Sequence, residues 1–274
     1  MYKLQRSRLA LLLVTLVYSL YPHALTADDP SSITKDQIKQ FLLTAKIVGN
    51  HGSKKGITNT QRLTLSDGTL THDASFQAVD EHEALKKFSD GRTEVRFVDS
   101  YKYNIAAYAL AELIGFDDMM PVYVERKWGG KNGSLSWWLP VKMDELDRVK
   151  QKVQPPDNDE WNNQMYKIRV FDELIYDTDP NLTNVLIGAD WKIWRIDFTR
   201  AFRTFHQLKD EKDLDRCDRQ LLERLKKLNA NELAEKTKTY LTKDEIQAVM
   251  ARRDIIVAFF EKRIAEKGEQ QVLY

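Results

Sequence analysis

Between residues 160 and 197 the sequence leaves few local arrangements open. Glu160 to Tyr176 carries Met165, Ile168, Phe171 and Ile175 at helical spacing, which predicts a long helix with one buried stripe. The run Asp177-Thr178-Asp179-Pro180-Asn181-Leu182-Thr183-Asn184 follows, and it is made almost wholly of turn formers. Val185-Leu186-Ile187 and Lys192-Ile193-Trp194-Arg195-Ile196 flank Gly188-Ala189-Asp190 as a short hairpin, with Asp197 directly after it. Asn184 stands five residues after Asp179, and Asp197 thirteen after Asn184. So short a loop brings two oxygen-bearing side chains to one mouth, and the hairpin returns a third to the same place. Asp and Asn are hard oxygen donors of the kind that hold Mg²⁺ together with phosphates. The plainer alternative is an Asx-rich turn in which Asp197 caps a later segment.

The flanking sequence divides by periodicity. Ahead of Pro140, Thr44 to Val48, Arg62 to Leu65, Ala74 to Val79, Val122 to Val124 and Ser134 to Leu139 read as strands, with a turn at Asp67-Gly68. A short helix bearing Phe41 and Leu42 comes first. A longer one runs from Tyr101 to Ile114, where Gly115 stops it. From Asp144 onward the chain is mostly helical, broken at Pro155-Pro156, and it ends in three or four charged amphipathic helices. Cys217 shares its register with Leu214, Leu221, Leu225 and Leu228, the pattern of a buried packing residue. This order predicts an α+β molecule of two lobes, residues 28–140 rich in strands and 141–274 helical.

Residues 1–27 carry Lys3, Arg6 and Arg8 but no acid, then an apolar run from Leu9 to Leu20 and the small-residue stretch Ala24-Leu25-Thr26-Ala27. As a helix that run spans about 18 Å, short of the roughly 30 Å of a bilayer core. The pattern is that of a secretory signal cleaved after Ala27, with an anchor over residues 9–21 as the alternative. An exported protein, periplasmic or secreted, is therefore expected, with no membrane span once the signal is cleaved.

Composition closes other routes. Forty-two basic against 41 acidic residues leave a net charge of +1, so no nucleic-acid partner is expected. One Cys excludes an intrachain disulfide or a Cys-based zinc cluster. The five His lack H-E-x-x-H spacing, His82 between two Glu reads as solvated surface, and no G-x-S-x-G elbow occurs.

Phe171-Asp172-Glu173-Leu174-Ile175, Asp179-Pro180-Asn181-Leu182-Thr183-Asn184 and Ile196-Asp197-Phe198-Thr199-Arg200-Ala201-Phe202 resemble the atypical branch of the protein-kinase-like fold. That branch holds phosphatidylinositol kinases, HipA-type toxin kinases and Golgi casein kinase-like proteins. Ala106-Ala107-Tyr108 and Gly133-Ser134 to Trp138 are similar to a group of bacterial kinase-like proteins, over roughly residues 40–265. The resemblance implies ATP and Mg²⁺ as cofactors, Asp179 as catalytic Asp, and Asn184 and Asp197 as metal ligands. It places Gln77 where an active kinase carries the ATP-phosphate lysine, and Asn104 where its partner Glu would stand, so two amides are expected to hydrogen-bond each other. Pro180 stands where relatives carry Arg or Lys. The Gly49–Gly56 stretch, with Lys54 and Lys55, is the natural phosphate-covering loop, with an ordinary surface hairpin as the alternative; Trp137-Trp138 reads as strand packing, with Trp138 to Pro140 as the border of an adenine slot the alternative. Two functions follow: an exported phosphotransferase acting on a protein or small hydroxyl substrate, or an inactive kinase-like module acting through a partner. A purely structural envelope protein is a third, remoter class.

Overall fold

Thr34 begins the first element by closing a capping box with Gln37, and α1 (Lys35–Thr44) buries Phe41 and Leu42. The computed structural model describes residues 33–52 and 60–274, and residues 34–274 form one compact unit. The signal-like segment and Lys54 and Lys55 lie outside the described residues.

After α1 come β1 (Lys46–Asn50), β2 (Gln61–Ser66), β3 (Thr71–Gln77), β4 (Asp80–Lys87), β5 (Thr93–Ser100), α2 (Tyr101–Ile114), β6 (Tyr123–Trp128) and β7 (Lys131–Trp137). Five of these strands make an antiparallel sheet in the order β1-β2-β3-β7-β6. Because side chains alternate along a strand, the sheet has two unlike faces. Leu63, Leu65, Ala74, Phe76 and Leu135 are buried on one, in the core that also holds Phe41 and Leu42 of α1, which packs against β6 and β7. Arg126 of β6 ties that helix down by donating to the carbonyls of Leu42 and Ala45. The opposite face carries Arg62, Thr64, Asp73, Ser75, Gln77, Ser134 and Ser136, nearly all polar, in register across three strands.

Ser100 caps α2 and Gly115, with φ of 71°, ends it in the left-handed conformation that glycine tolerates. The helix packs on β6 and β7 and turns Asn104, fully buried, toward the polar face of the sheet.

The helical part follows: β8 (Val141–Asp144), α3 (Glu145–Gln151), α4 (Asn158–Ile175), β9 (Val185–Gly188), β10 (Ile193–Arg195), α5 (Arg219–Lys227), α6 (Ala230–Thr237), α7 (Lys243–Lys267) and α8 (Glu269–Val272). The expected order, strands first and helices after, is the observed one. β8, which sequence patterning leaves unassigned, joins the β9–β10 hairpin as a third strand. No described helix is long and apolar enough to cross a membrane.

Three other differences from the sequence reading have clear causes. Residues 80–100, left without elements, form the β4–β5 hairpin; its strands are exposed on both faces along most of their length, so no apolar alternation marks them. The first strand begins at Lys46 because α1 extends through Thr44. Cys217 is buried as expected, but it precedes α5 and bridges to Leu273 near the C-terminal end.

Candidate functional site

One buried side chain joins three elements of the site. Asn104 of α2 accepts the Phe198 backbone N–H at 2.7 Å through Oδ1 and donates through Nδ2 to Gln77 Oε1 at 2.7 Å and Ser134 Oγ at 3.1 Å. A backbone N–H can only donate, so that first bond sets the polarity of the rest. The Asn104 nitrogen must face Gln77, Gln77 must answer with its oxygen, and its nitrogen is left to face the carboxylate of Asp197, to which it is hydrogen-bonded. Gln77 and Asn104, 27 residues apart, are thus brought together, and the pair is linked to Asp197.

Asp197 sits at φ of 61°, a left-handed conformation that Asp adopts more readily than most residues. Thr199 donates to its Oδ1 at 3.1 Å, and the buried Tyr123 hydroxyl is bonded to its backbone and to Ser136. Burial holds the Asp197 carboxyl above the usual carboxylate range, against the donors from Thr199 and Gln77, and the nearby Asp99 carboxylate adds to the effect. Asp99, at the end of β5, is raised for the same reason, burial, with Asp179 also adding to it. Its Oδ1 is buried with no hydrogen-bond partner among the described residues. Thr199 is a partner of both carboxylates but owns a single proton to donate.

The loop after α4 is held from behind. Arg195, 1% exposed, pairs with Asp172 at the end of α4 (3.2 Å), with Asp177 and with the Ile196 carbonyl. Burial opposes its charge, yet the carboxylates of Asp172, Asp177 and Asp197 hold it above the ordinary guanidinium range. Asp177 uses its other oxygen to receive the Asp179 N–H at 2.9 Å, while Lys209 donates to its carbonyl at 2.9 Å. The Asp179 side chain itself is half exposed and lies 3.8 Å from Arg200. A single 3-10 turn, Leu182–Asn184, carries the chain into β9, and Asn184 O accepts the Ile196 N–H at 3.0 Å, next to Asp197.

Asp99 thus interacts with both Asp179 and Asp197, and the Asn184 carbonyl meets the Ile196 N–H beside Asp197. Among the described residues no group of three or more His, Cys, Asp or Glu is arranged to hold a metal ion. The donor set fits Mg²⁺ of the kind bound through one or two protein oxygens and completed by phosphates and water, rather than a cage. The buried Asp99 oxygen without a partner among the described residues fits such an ion.

At the expected base slot, Arg62 lies 4.4 Å over the Trp138 indole and is held by Asp73 at 2.7 Å. His72 bonds the Trp138 carbonyl at 3.0 Å, and the Trp138 N–H donates to Asp73 O at 3.1 Å. Both backbone groups of Trp138 are thereby engaged within the sheet. Cavities of about 690 Å³ beside Trp161, Trp191 and Tyr274, and of about 660 Å³ beside Tyr101 and Lys127, are lined by none of Gln77, Asp179, Asn184 or Asp197.

Sequence reasoning missed Asp99, Arg195, Asp177, Thr199 and Arg200. Arg195 carried a signal: it follows Ile193 by two in a short apolar strand, so it had to share that strand's buried face.

No protein-family model and no curated protein sequence matches the chain. Among solved structures it is similar to the Helicobacter pylori proinflammatory kinase CtkA, at 11% identity and a TM-score of 0.45, over 82% of this chain and 97% of that one.

Proposed function

We propose that the protein is an exported kinase-like phosphotransferase that transfers phosphate from Mg-ATP to a hydroxyl on a protein or small molecule. The observation that carries this is Asn104, which ties the third strand (Gln77) and the turn of Asp197 to one helix. In kinases the strand residue on the phosphates and its helix partner must be assembled together with the metal-binding Asp, and the bonds of Asn104 to Gln77 and to the Phe198 N–H support that reading. Asn184 and Asp197 would hold the magnesium ion, which neutralises charge on the phosphates when bound. Asp179, half exposed, anchored through its own N–H and 3.8 Å from Arg200, would take the proton of an acceptor hydroxyl. Gln77, a neutral donor, binds phosphate less tightly than a lysine, since charge-assisted hydrogen bonds are roughly twice as strong. A modest affinity for ATP follows.

The neutral Gln77–Asn104 pair and Pro180 favour a second reading, an inactive module that binds nucleotide weakly or not at all and acts through a partner. Titrating the purified protein with ATP, with and without Mg²⁺, and then following release of labelled phosphate separates the two. Binding with turnover supports transfer, whereas weak binding without turnover, or no binding, contradicts transfer and supports the module. Export is tested by intact mass: the mature chain should begin near Asp28, and retention of residues 1–26 would favour the anchor.

A further inference from the structure

A phosphotransfer site needs positive charge near the oxygens that become more negative as the phosphoryl group moves. Here two of the expected sources are missing. Gln77 is neutral, and Pro180-Asn181-Leu182-Thr183-Asn184 contains no basic residue. One guanidinium nevertheless reaches the region. Arg200, three residues past Asp197, places Nη1 3.8 Å from Asp179 Oδ2, and its charge also acts on Asp99. Its Nε is buried without a hydrogen-bond partner among the described residues. Arg195 is spent on Asp172 and Asp177, and Arg203 on Glu94 and the Arg96 carbonyl.

Arg200 is held from both sides. Its carbonyl accepts the Thr178 N–H (3.3 Å) and hydroxyl (2.9 Å), immediately before Asp179. Its Nη2 meets Glu94 of β5 at 2.5 Å, and the guanidinium lies over Phe88 and Phe97, 5.4 and 5.2 Å from their ring centres. The β4–β5 hairpin is thereby fastened to the turn that carries Asp197, also through Ser100 N–H to Thr199 O at 2.8 Å.

We infer that Arg200 is the phosphoryl-directed cation of this site, filling the role that the loop after Asp179 leaves open, and that Glu94 of the β4–β5 hairpin is its positioning residue. This rests on the phosphotransferase reading above. In the transfer, the acceptor oxygen bonds to phosphorus as the bridging P–O bond breaks. ADP leaves with that electron pair, the acceptor proton goes to Asp179, and Arg200 faces the non-bridging oxygens of the moving group.

The test compares ATP with ADP, because only ATP carries the group that Arg200 would face. Mg-ATP and Mg-ADP affinities, ATP turnover and thermal midpoints are measured for the wild type, Arg200→Gln, Arg200→Lys and Glu94→Gln. Arg200→Gln should cut the preference for ATP over ADP by about tenfold and leave ADP affinity within about threefold, as loss of one charge-assisted contact requires. Turnover should fall by about a hundredfold or more. Arg200→Lys should recover part of both, and Glu94→Gln should shift both in the same direction by less. An unchanged ATP preference and turnover in Arg200→Gln, or equal losses for ATP and ADP together with a lower midpoint that Arg200→Lys does not restore, would overturn the assignment. Wild-type protein that binds neither nucleotide overturns the phosphotransferase reading itself, and this inference with it.

Discussion

At the scale of single residues, the site is governed by which buried atoms have partners. Asn104 satisfies the Phe198 N–H and the Gln77 oxygen at once. Asn104→Ala would strand both, at about 1–3 kcal/mol for each buried group left unsatisfied, and urea unfolding should report the loss. Gln77→Lys alone places an ammonium beside an amide, whereas Gln77→Lys with Asn104→Glu restores an ion pair and keeps an acceptor for Phe198. Stabilities of the four variants should therefore depart from additivity by about 0.5–3 kcal/mol. Strict additivity would mean that the two side chains are not energetically coupled. His72 supplies a pH dependence. Burial lowers its pKa below 6.5, against the carbonyl of Trp138 and the charge of Asp73. The unfolded chain then binds a proton that the folded chain resists, so this contribution to stability is lost as pH falls below 6.5. Thermal midpoints at pH 7.5 and 5.5 should differ less in His72→Phe than in the wild type.

At the scale of elements, close approach and buried charge set the geometry. A methyl group at Gly133 of β7 would stand 2.4 Å from the Gln77 carbonyl and 2.6 Å from the Phe76 ring. Gly133→Ala must push β3 and β7 apart where Ser134 faces Gln77, and overpacking of this kind costs about 1–3 kcal/mol. Guanidinium unfolding checks it, with weaker nucleotide binding expected alongside. Arg195 pins the end of α4, the loop and β10 together, so Arg195→Met would leave Asp172 and Asp177 as uncompensated buried carboxylates, at about 3–5 kcal/mol. A midpoint unchanged by that substitution would mean the triad is not what holds the loop. These elements also show what a sequence can and cannot disclose. α2, with its Ser100 start and Gly115 stop, and the β9–β10 hairpin were legible because local caps and periodicity specify them. The β4–β5 hairpin was not, because it buries only Phe97 and Ser100 outright and holds its place through Glu94, Arg200 and Arg203, contacts more than a hundred residues apart.

At the scale of the molecule, a sheet with one apolar and one polar face turns the polar one toward α2, and the turn after β10 meets it there. Strand period turned Gln77 toward the cleft and the family resemblance set Asn104 opposite it, whereas Asp99 and Arg200 reach the same place only through tertiary packing. Buried Arg252 of α7 ties the parts further by donating to the carbonyls of Leu174, Arg203 and Phe205, and burial among carbonyls lowers its pKa to about 10. The central claim is that Asp197 holds the metal-bound nucleotide while Asp179 serves the acceptor. It is tested most directly by titrating Mg-ATP into the wild type, Asp197→Asn and Asp179→Asn while following ATP turnover. Asp197→Asn should abolish Mg²⁺-dependent binding. Asp179→Asn should bind as the wild type does and lose turnover by about 10²–10⁴-fold, the range of a missing general base. Equal binding and equal turnover in all three proteins would contradict the assignment.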